Sequence, residues 1–496
     1  MRLGRRGYGL RWISIGFFLV AVLLLTFQLI SFSRSRNTYP DGLKIGGVPV
    51  GNLDRQQAAD RILEVYSFPV EMYYGTNIIQ LSPGLVGFDI DLESMLASGD
   101  AARIGGQFWE EYWNYLWRNQ PLPEPVPLAA TYSEQQLRNY LTNEVALRYD
   151  QFPTSAKPQI GTVNFDAGTS GTSINMDIAV LQIENALKSP SLRTVNLPLE
   201  QIDPGRPSFQ NLRIFLQQAI DIADFDGLAG IYLLDLQSSQ EIHFVTQGGI
   251  DVSVQPTDVS FTASSIIKIP IMVSAYRRLN EPPPVQAQTF LTGMIEESGN
   301  DPADWLMEQF IDPFRGPLEV TEDMRAIGLN NTFLAGHFRL GSPLLQKIDT
   351  PANSRTDVFT DPDLYNQTTL SDIGMLLADI YQCSQNGGGA LAAVFPGEIT
   401  QAECKEMVNL LTRNFVPFLI PAGAPEGTQV AHKHGWVSDL TGAIRTIGDA
   451  GIVFTPSGNY VLVIYFYHPT QLVWDPISTL ISDLSRIIYN YYNTSS

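Results

Sequence analysis

Hydrophobic positions follow three regimes along the chain. Over residues 12–32 they are almost continuous, broken only by Ser14, Gly16, Thr26, Gln28 and Ser31. Over residues 43–200 short alternating stretches mix with helical ones. Residues 43–50 read as extended, 55–66 as a helix and 70–81 as a hairpin. Residues 108–117 form a predicted helix carrying Trp109, Trp113 and Trp117 at i, i+4 and i+8, a stripe expected to fill a core. A Pro-rich segment, 121–127, interrupts this region. Residues 204–207 mark a boundary, after which Ser208 caps a predicted helix with Leu212, Phe215, Leu216, Ala219 and Ile220 on one face. Residues 231–236 and 242–245, joined by Gln237-Ser238-Ser239-Gln240, predict a second hairpin. Mostly helical segments run from Ser265 to about Arg413. Three late strand-like runs follow, at 430–436, 449–454 and 460–466. Two early strands, three late ones and the helices between them predict an α+β domain, an antiparallel sheet flanked by helices.

The 496-residue length calls for two or more domains. Charge sharpens the picture at the N-terminus. Of the 31 lysines and arginines, six lie within residues 1–36, where there is no acid, so 25 face 51 acidic side chains in the remainder. Such an acidic body repels nucleic acid and anionic lipid. Residues 12–32 are long enough to span a bilayer. Arg2, Arg5, Arg6 and Arg11 precede them and only Arg34 and Arg36 follow closely, which predicts a cytoplasmic tail, residues 1–11, and an exported body. A single-pass anchor in the cell membrane is expected. A cleaved signal peptide is the alternative, although no clean small-x-small site follows the apolar run. The expected organisation is tail 1–11, anchor 12–32, linker 33–40, an α+β domain at 41–203 and a second domain at 208–490.

The chain has two cysteines. Cys383 ends one predicted helix, 370–381. Cys404 opens another, where Thr400 and Glu403 have capping-box spacing. Outside the membrane such a pair can oxidise, and pinning two helix ends stabilises by about 3 kcal/mol for a loop of this size. Two unpaired buried cysteines are the alternative.

Three short segments carry candidate chemistry. Ser265-Ile266-Ile267-Lys268 opens an apolar helix, so a hydroxyl and an ammonium share a face. A serine needs a neighbour to take its proton, and apolar surroundings favour the neutral lysine that can do so. Pro270 within this helix predicts a small distortion. Ser298-Gly299-Asn300 precedes Asp301-Pro302, a cap and first-turn proline. The hydroxyl of Ser298 suits proton relay, and the amide of Asn300 suits holding Lys268 and a substrate amide. Lys433-His434-Gly435 lies in a predicted strand. There a cation can hold a carboxylate, glycine admits the substrate backbone, and Trp436 offers an oxyanion N–H. Among the five histidines, His432 and His434 share a strand face, which leaves a zinc pair as a lesser alternative to site-lining roles; no metal and no cofactor is called for.

In this order and at these intervals, the three segments resemble the class A β-lactamase and penicillin-binding protein family. The resemblance covers residues 208–490. It implies that Ser265 is the acylated nucleophile, Lys268 a general base, Ser298 and Asn300 relay and clamp, and Lys433 the carboxylate anchor, with His434, Gly435 and Trp436 beside it. Gly299 stands where β-lactamases have aspartate, and His434 where threonine or serine is usual. The glutamate expected before Thr368-Thr369 is absent; Asp357, Asp361 and Asp363 occupy that stretch. The resemblance therefore implies a serine hydrolase acting on β-lactams or related amides. A D-alanyl peptidase or esterase with slow deacylation, or a non-catalytic wall-binding protein, remain open. Separately, Gly46-Gly47-Val48-Pro49-Val50-Gly51, Gly168-Thr169-Ser170-Gly171 and Val195-Asn196-Leu197-Pro198-Leu199 resemble a peptidoglycan-binding module of exported wall proteins, which implies the cell wall as a partner.

Overall fold

The computed structural model describes residues 6–119, 121–253, 258–439 and 441–494; Arg2 and Arg5 of the expected basic tail lie outside them. The chain divides into two compact units, Met1–Pro153 with Ser170–Asp203, and Thr154–Thr169 with Pro204–Ser496.

The first unit begins with α1, Arg6–Ser35, whose Trp12–Ser35 portion has mean hydropathy 2.5 and is long and apolar enough to cross a membrane. Helix α2, Arg55–Ser67, starts on a capping box between Asp54 and Gln57. The hairpin of β1, Val70–Tyr74, and β2, Asn77–Leu81, follows, then α3, Leu92–Ile104, and α4, Phe108–Leu116. Helix α5, Met176–Lys188, leads to β3, Thr194–Asn196, which pairs in parallel with β1. Val70, Met72 and Leu81 pack with Val180, Ile183 and Leu187 in one core, while Ile45, Ile62, Met95 and Leu96 form another.

Trp109, Trp113 and Trp117 correct the sequence reading: they are 69%, 61% and 69% exposed. Helix α4 is aromatic on two faces, and a competing stripe, Phe108, Tyr112 and Tyr115, turns inward. Their rings lie 5.4, 5.4 and 5.3 Å from that of Phe32. Periodicity alone cannot choose between two apolar stripes on one helix.

The second unit is built on a six-stranded antiparallel sheet. Helix α6, Phe209–Ile222, is capped by Ser208, whose side chain accepts the N–H of Asn211. Strands β4, Leu228–Asp235, β5, Glu241–Gln247, and β6, Ile250–Asp251, follow. A small three-stranded sheet, β7 at Phe261–Thr262, β8 at Phe333–Leu334 and β9 at Asn366–Thr368, is threaded among the helices. These helices are α7, Lys268–Tyr276, α8, Val285–Ile295, α9, Asn300–Phe310, and α10, Gly316–Ala326, followed after β9 by α11, Leu370–Asn386, and α12, Gln401–Thr412. Strands β10, Val430–Ser438, β11, Ile444–Val453, and β12, Tyr460–Leu472, and helix α13, Trp474–Tyr492, close the chain. The strand order is β6-β5-β4-β12-β11-β10.

Both faces of this sheet are covered, which is why Tyr460–Tyr467 reads as unbroken apolar sequence. On one face Ile231, Phe244, Leu462 and Ile464 pack with Phe215 and Leu216 of α6 and Leu484 and Ile488 of α13. On the other, Tyr232, Val461 and Val463 meet Ile271, Leu376 and Ile380 of the helical layer. Gly374 permits the close seating of α11, because a Cβ there would lie 2.3 Å from Cδ1 of Tyr232. Every residue of α7 is buried, so this helix is apolar all round and runs through the core.

Cys383 and Cys404 form a disulfide between α11 and the start of α12, where Thr400 and Glu403 make a capping box. Replacing both cysteines by alanine is expected to lower the stability of the second unit by about 3 kcal/mol. A lowered urea midpoint in the unfolding curve checks this.

Candidate active site

Residues 261–276 are buried almost throughout, and Ser265 is the half-exposed break in the run. The segment opens as a 3-10 turn, Ser264–Ile267, and becomes α-helical at Lys268. Pro270 therefore sits in the first α-helical turn, where its missing N–H costs little. Ser264 holds φ at 51°, a left-handed value that a serine adopts only under constraint from its surroundings.

Lys268 is fully buried, and its Nζ has four polar neighbours. It lies 3.0 Å from Ser265 Oγ, 2.7 Å from the carbonyl of Ser298, 3.4 Å from Ser298 Oγ and 2.8 Å from Asn300 Oδ1. Two of these are carbonyl oxygens that only accept. A neutral amine can donate its two protons to them and keep its lone pair for the hydroxyl proton of Ser265. Burial pushes Lys268 down from 10.5 to about 7, against an opposing pull from the Asp304 carboxylate. The ring of Phe338 lies 5.1 Å from Nζ.

Ser298, with φ at 59°, is also left-handed, and its hydroxyl accepts a bond of 2.8 Å from Nζ of Lys433. One hydroxyl thus sits between two buried lysines. Burial, then the nearby Lys268, hold Lys433 well below its ordinary value. Asn300 begins α9, and Gly299, not Asp301, occupies the cap position. Pro302 falls in the first turn as expected.

Strand β10 brings Lys433 to this point from the far end of the chain. The space beside Gly435 is filled by the nucleophile turn rather than left for substrate: a Cβ would lie 2.9 Å from the carbonyl of Ala263 and 3.1 Å from the N of Ser265. Glycine is needed here so that the strand edge can lie against the turn that carries Ser265. The side chains of His434 and Trp436 lie away from Lys433. Strand alternation sends them to the opposite face from Lys433, where the His434 ring stacks on Trp436 at 4.7 Å and Trp436 meets Trp474 at 4.7 Å. Burial and the neighbouring cations drive His434 down to about 2, and its buried Nδ1 has no hydrogen-bond partner among the described residues. It is a neutral ring packed behind the strand. His432 on the same face lies 2.9 Å from Asp449. Among the described residues, no group of three or more His, Cys, Asp or Glu is placed to hold a metal ion.

Two contributors escaped the sequence reading. Asp304, one turn beyond Asn300 on α9, is buried and accepts the N–H groups of Phe338 and Arg339 at 2.8 and 2.9 Å, fixing the loop whose ring faces Lys268. The i, i+4 spacing from Asn300 could have flagged it; Phe338, in an irregular segment, gives no such signal. The acids before Thr368 are all engaged. Asp357 pairs with Arg355 at 2.6 Å and Asp361 with Arg445 at 3.2 Å. Asp363 accepts the N–H of Tyr365 at 2.9 Å and Nδ2 of Asn366 at 3.2 Å, with burial raising it. Thr369 caps α11, accepting the N–H of Asp372.

Residues 281–492 match the model of the β-lactamase enzyme family. The match includes Ser298, Asn300 and Lys433 and begins after Ser265 and Lys268. Among solved structures, PBP-A is 21% identical with a TM-score of 0.41, covering 58% of this chain and 98% of its own. A β-lactamase from Desulfarculus baarsii is 16% identical with a TM-score of 0.40, over 56% of this chain and 95% of its own. One from Xanthomonas campestris pv. campestris is 15% identical with a TM-score of 0.40, over 56% and 97%. No curated protein matches the chain. With the family match lying on a sheet flanked by helices, the second unit is a β-lactamase-like serine hydrolase domain.

Proposed function

We propose that the chain is a membrane-anchored, extracytoplasmic serine hydrolase in which Ser265 is acylated by β-lactams or D-alanyl amides. The observation that carries this reading is the position of Lys268 Nζ, 3.0 Å from Ser265 Oγ and within hydrogen-bond distance of two carbonyl oxygens. Ser265 Oγ attacks the substrate carbonyl and its proton passes to neutral Lys268. Ser298 Oγ, bonded by Lys433 and within reach of Lys268, relays a proton to the departing nitrogen. Lys433 holds the substrate carboxylate, whose charge favours the ammonium form that burial otherwise opposes. No glutamate precedes Thr368, where Asp357, Asp361 and Asp363 stand instead, so on this reading a β-lactam acyl group persists.

Retention of α1 as an anchor, rather than its removal as a leader, is supported by Phe32, which is buried against Phe108, Tyr112 and Tyr115 of the first unit. Arginines before the apolar run support a cytoplasmic N-terminus. The wall-module resemblance of the first unit supports a place beside peptidoglycan.

Incubation with penicillin is expected to give a protein adduct of the drug's mass that outlasts removal of free drug and is absent from Ser265→Ala. Intact-protein mass spectrometry reads it. Rapid loss of the adduct would indicate a fast β-lactamase, and no adduct with no turnover would leave only a binding role. Because Lys268 acts as the neutral amine and sits at about 7, the acylation rate should rise with pH up to that value and level off above it. In Asn300→Asp a carboxylate would stand where Oδ1 lies 2.8 Å from Nζ. It favours the ammonium, so the midpoint of the pH–rate profile should move up by about 1–2 units.

A further inference from the structure

The exposed tryptophans of α4 stand beside the apolar helix α1. Tyr112 donates its hydroxyl to the carbonyl of Leu25 at 2.9 Å, and Phe32 is enclosed by the rings of Phe108, Tyr112 and Tyr115. Arg36 lies 3.5 Å from Glu111 and its guanidinium 5.3 Å from the Phe108 ring. Helix α4 thus packs against the last turns of α1 with its rings centred on Phe32. Leu25 and Phe32 are about 10 Å apart along the helix axis at 1.5 Å rise per residue. A bilayer core about 30 Å thick takes up some 20 residues, so a span beginning at Trp12 places Phe32 at its outer boundary and Leu25 within it.

We infer that α4 is a membrane-interface helix, whose Trp109, Trp113 and Trp117 side chains insert among lipid headgroups at the outer surface. The inference rests on the anchor reading of α1. Three tryptophans exposed along one short helix and its C-cap, Trp117, are otherwise a large apolar surface left in water. Indole rings, with an apolar body and one N–H, favour the headgroup region. The occupant is lipid because the helix is joined side by side to a segment apolar enough to lie in hydrocarbon. Glu111 of α4 is paired with Arg36 and so lies on the aqueous side. Such seating fixes the first unit against the bilayer instead of leaving it tethered by one helix.

The full chain, reconstituted in phosphatidylcholine vesicles containing acyl-brominated lipid, provides the test through tryptophan quenching. The chain has seven tryptophans, and Trp12 reports on the anchor itself. Roughly half of the emission should be quenched, from Trp12 and the three residues of α4. Most of that quenching should disappear in Trp109→Phe/Trp113→Phe/Trp117→Phe, which keeps the aromatic face, and a smaller part in Trp12→Phe. Quenching lost with Trp12→Phe but unchanged by the triple substitution would overturn the interface helix and leave the anchor standing. No quenching in the wild type would overturn both.

Discussion

Two buried lysines compete for charge across a single hydroxyl, and the arrangement of the second unit follows from that constraint. Lys268 and Lys433 are both fully buried and both bond Ser298 Oγ, at 3.4 and 2.8 Å. Removing an ammonium from water is costly, and a second one nearby adds repulsion. The pair is tolerated because Lys268 finds acceptors in Ser298 and Asn300 and a ring face in Phe338, and because its proton is readily given up. What would be a defect in a purely structural core is here the source of an amine able to accept a proton near neutral pH.

Geometry of this kind needs rigid supports from distant parts of the chain. Helix α7 supplies one by running wholly inside the core, so its first residues cannot shift without disturbing the packing around Ile266, Ile267 and Ile271. Strand β10 supplies the second, seated on the nucleophile turn through the bare Cα of Gly435. Helix α9 supplies the third, with Asn300 at its start and Asp304 one turn on, tying down the loop of Phe338. The left-handed backbone at Ser264 and Ser298, one beside the nucleophile and one between the lysines, marks where these supports impose strain on the chain.

Much of this was legible in the sequence, for reasons that vary by residue. The i, i+3 spacing of Ser265 and Lys268 on a helix has one geometric meaning, and the capping signals at Ser208 and Thr400 act within four residues, so they read true. The late strands were visible as apolar runs, although β11 starts at Ile444, five residues before the expected edge, because Arg445, Thr446 and Gly448 interrupt the apolar pattern over its first residues. Other features depend on what lies across a contact. Strand alternation predicted that His432 and His434 share the face opposite Lys433, but not which of the two faces meets the nucleophile turn, since both sides of β10 are buried. Strands of two or three residues, such as β7 to β9, have no period to detect. The α4 tryptophans misled because an aromatic stripe is equally suited to a protein core and to a lipid headgroup layer.

On the proposed reading, the order of charge in the site matters as much as its geometry. A substrate carboxylate arriving beside Lys433 makes the ammonium form favourable there, and that new charge disfavours a second one on Lys268. Substrate binding therefore prepares the base: the anion that is recognised at one lysine keeps the other neutral for Ser265. The same logic bears on the acyl-enzyme. An amide whose amine product departs vacates the space beside Ser298 and Lys268, so water can enter and follow the route by which the serine lost its proton. A β-lactam opens without releasing its nitrogen, which stays attached in that space. With no glutamate before Thr368, this reading offers no second route, and the two substrate classes part company at deacylation rather than at recognition.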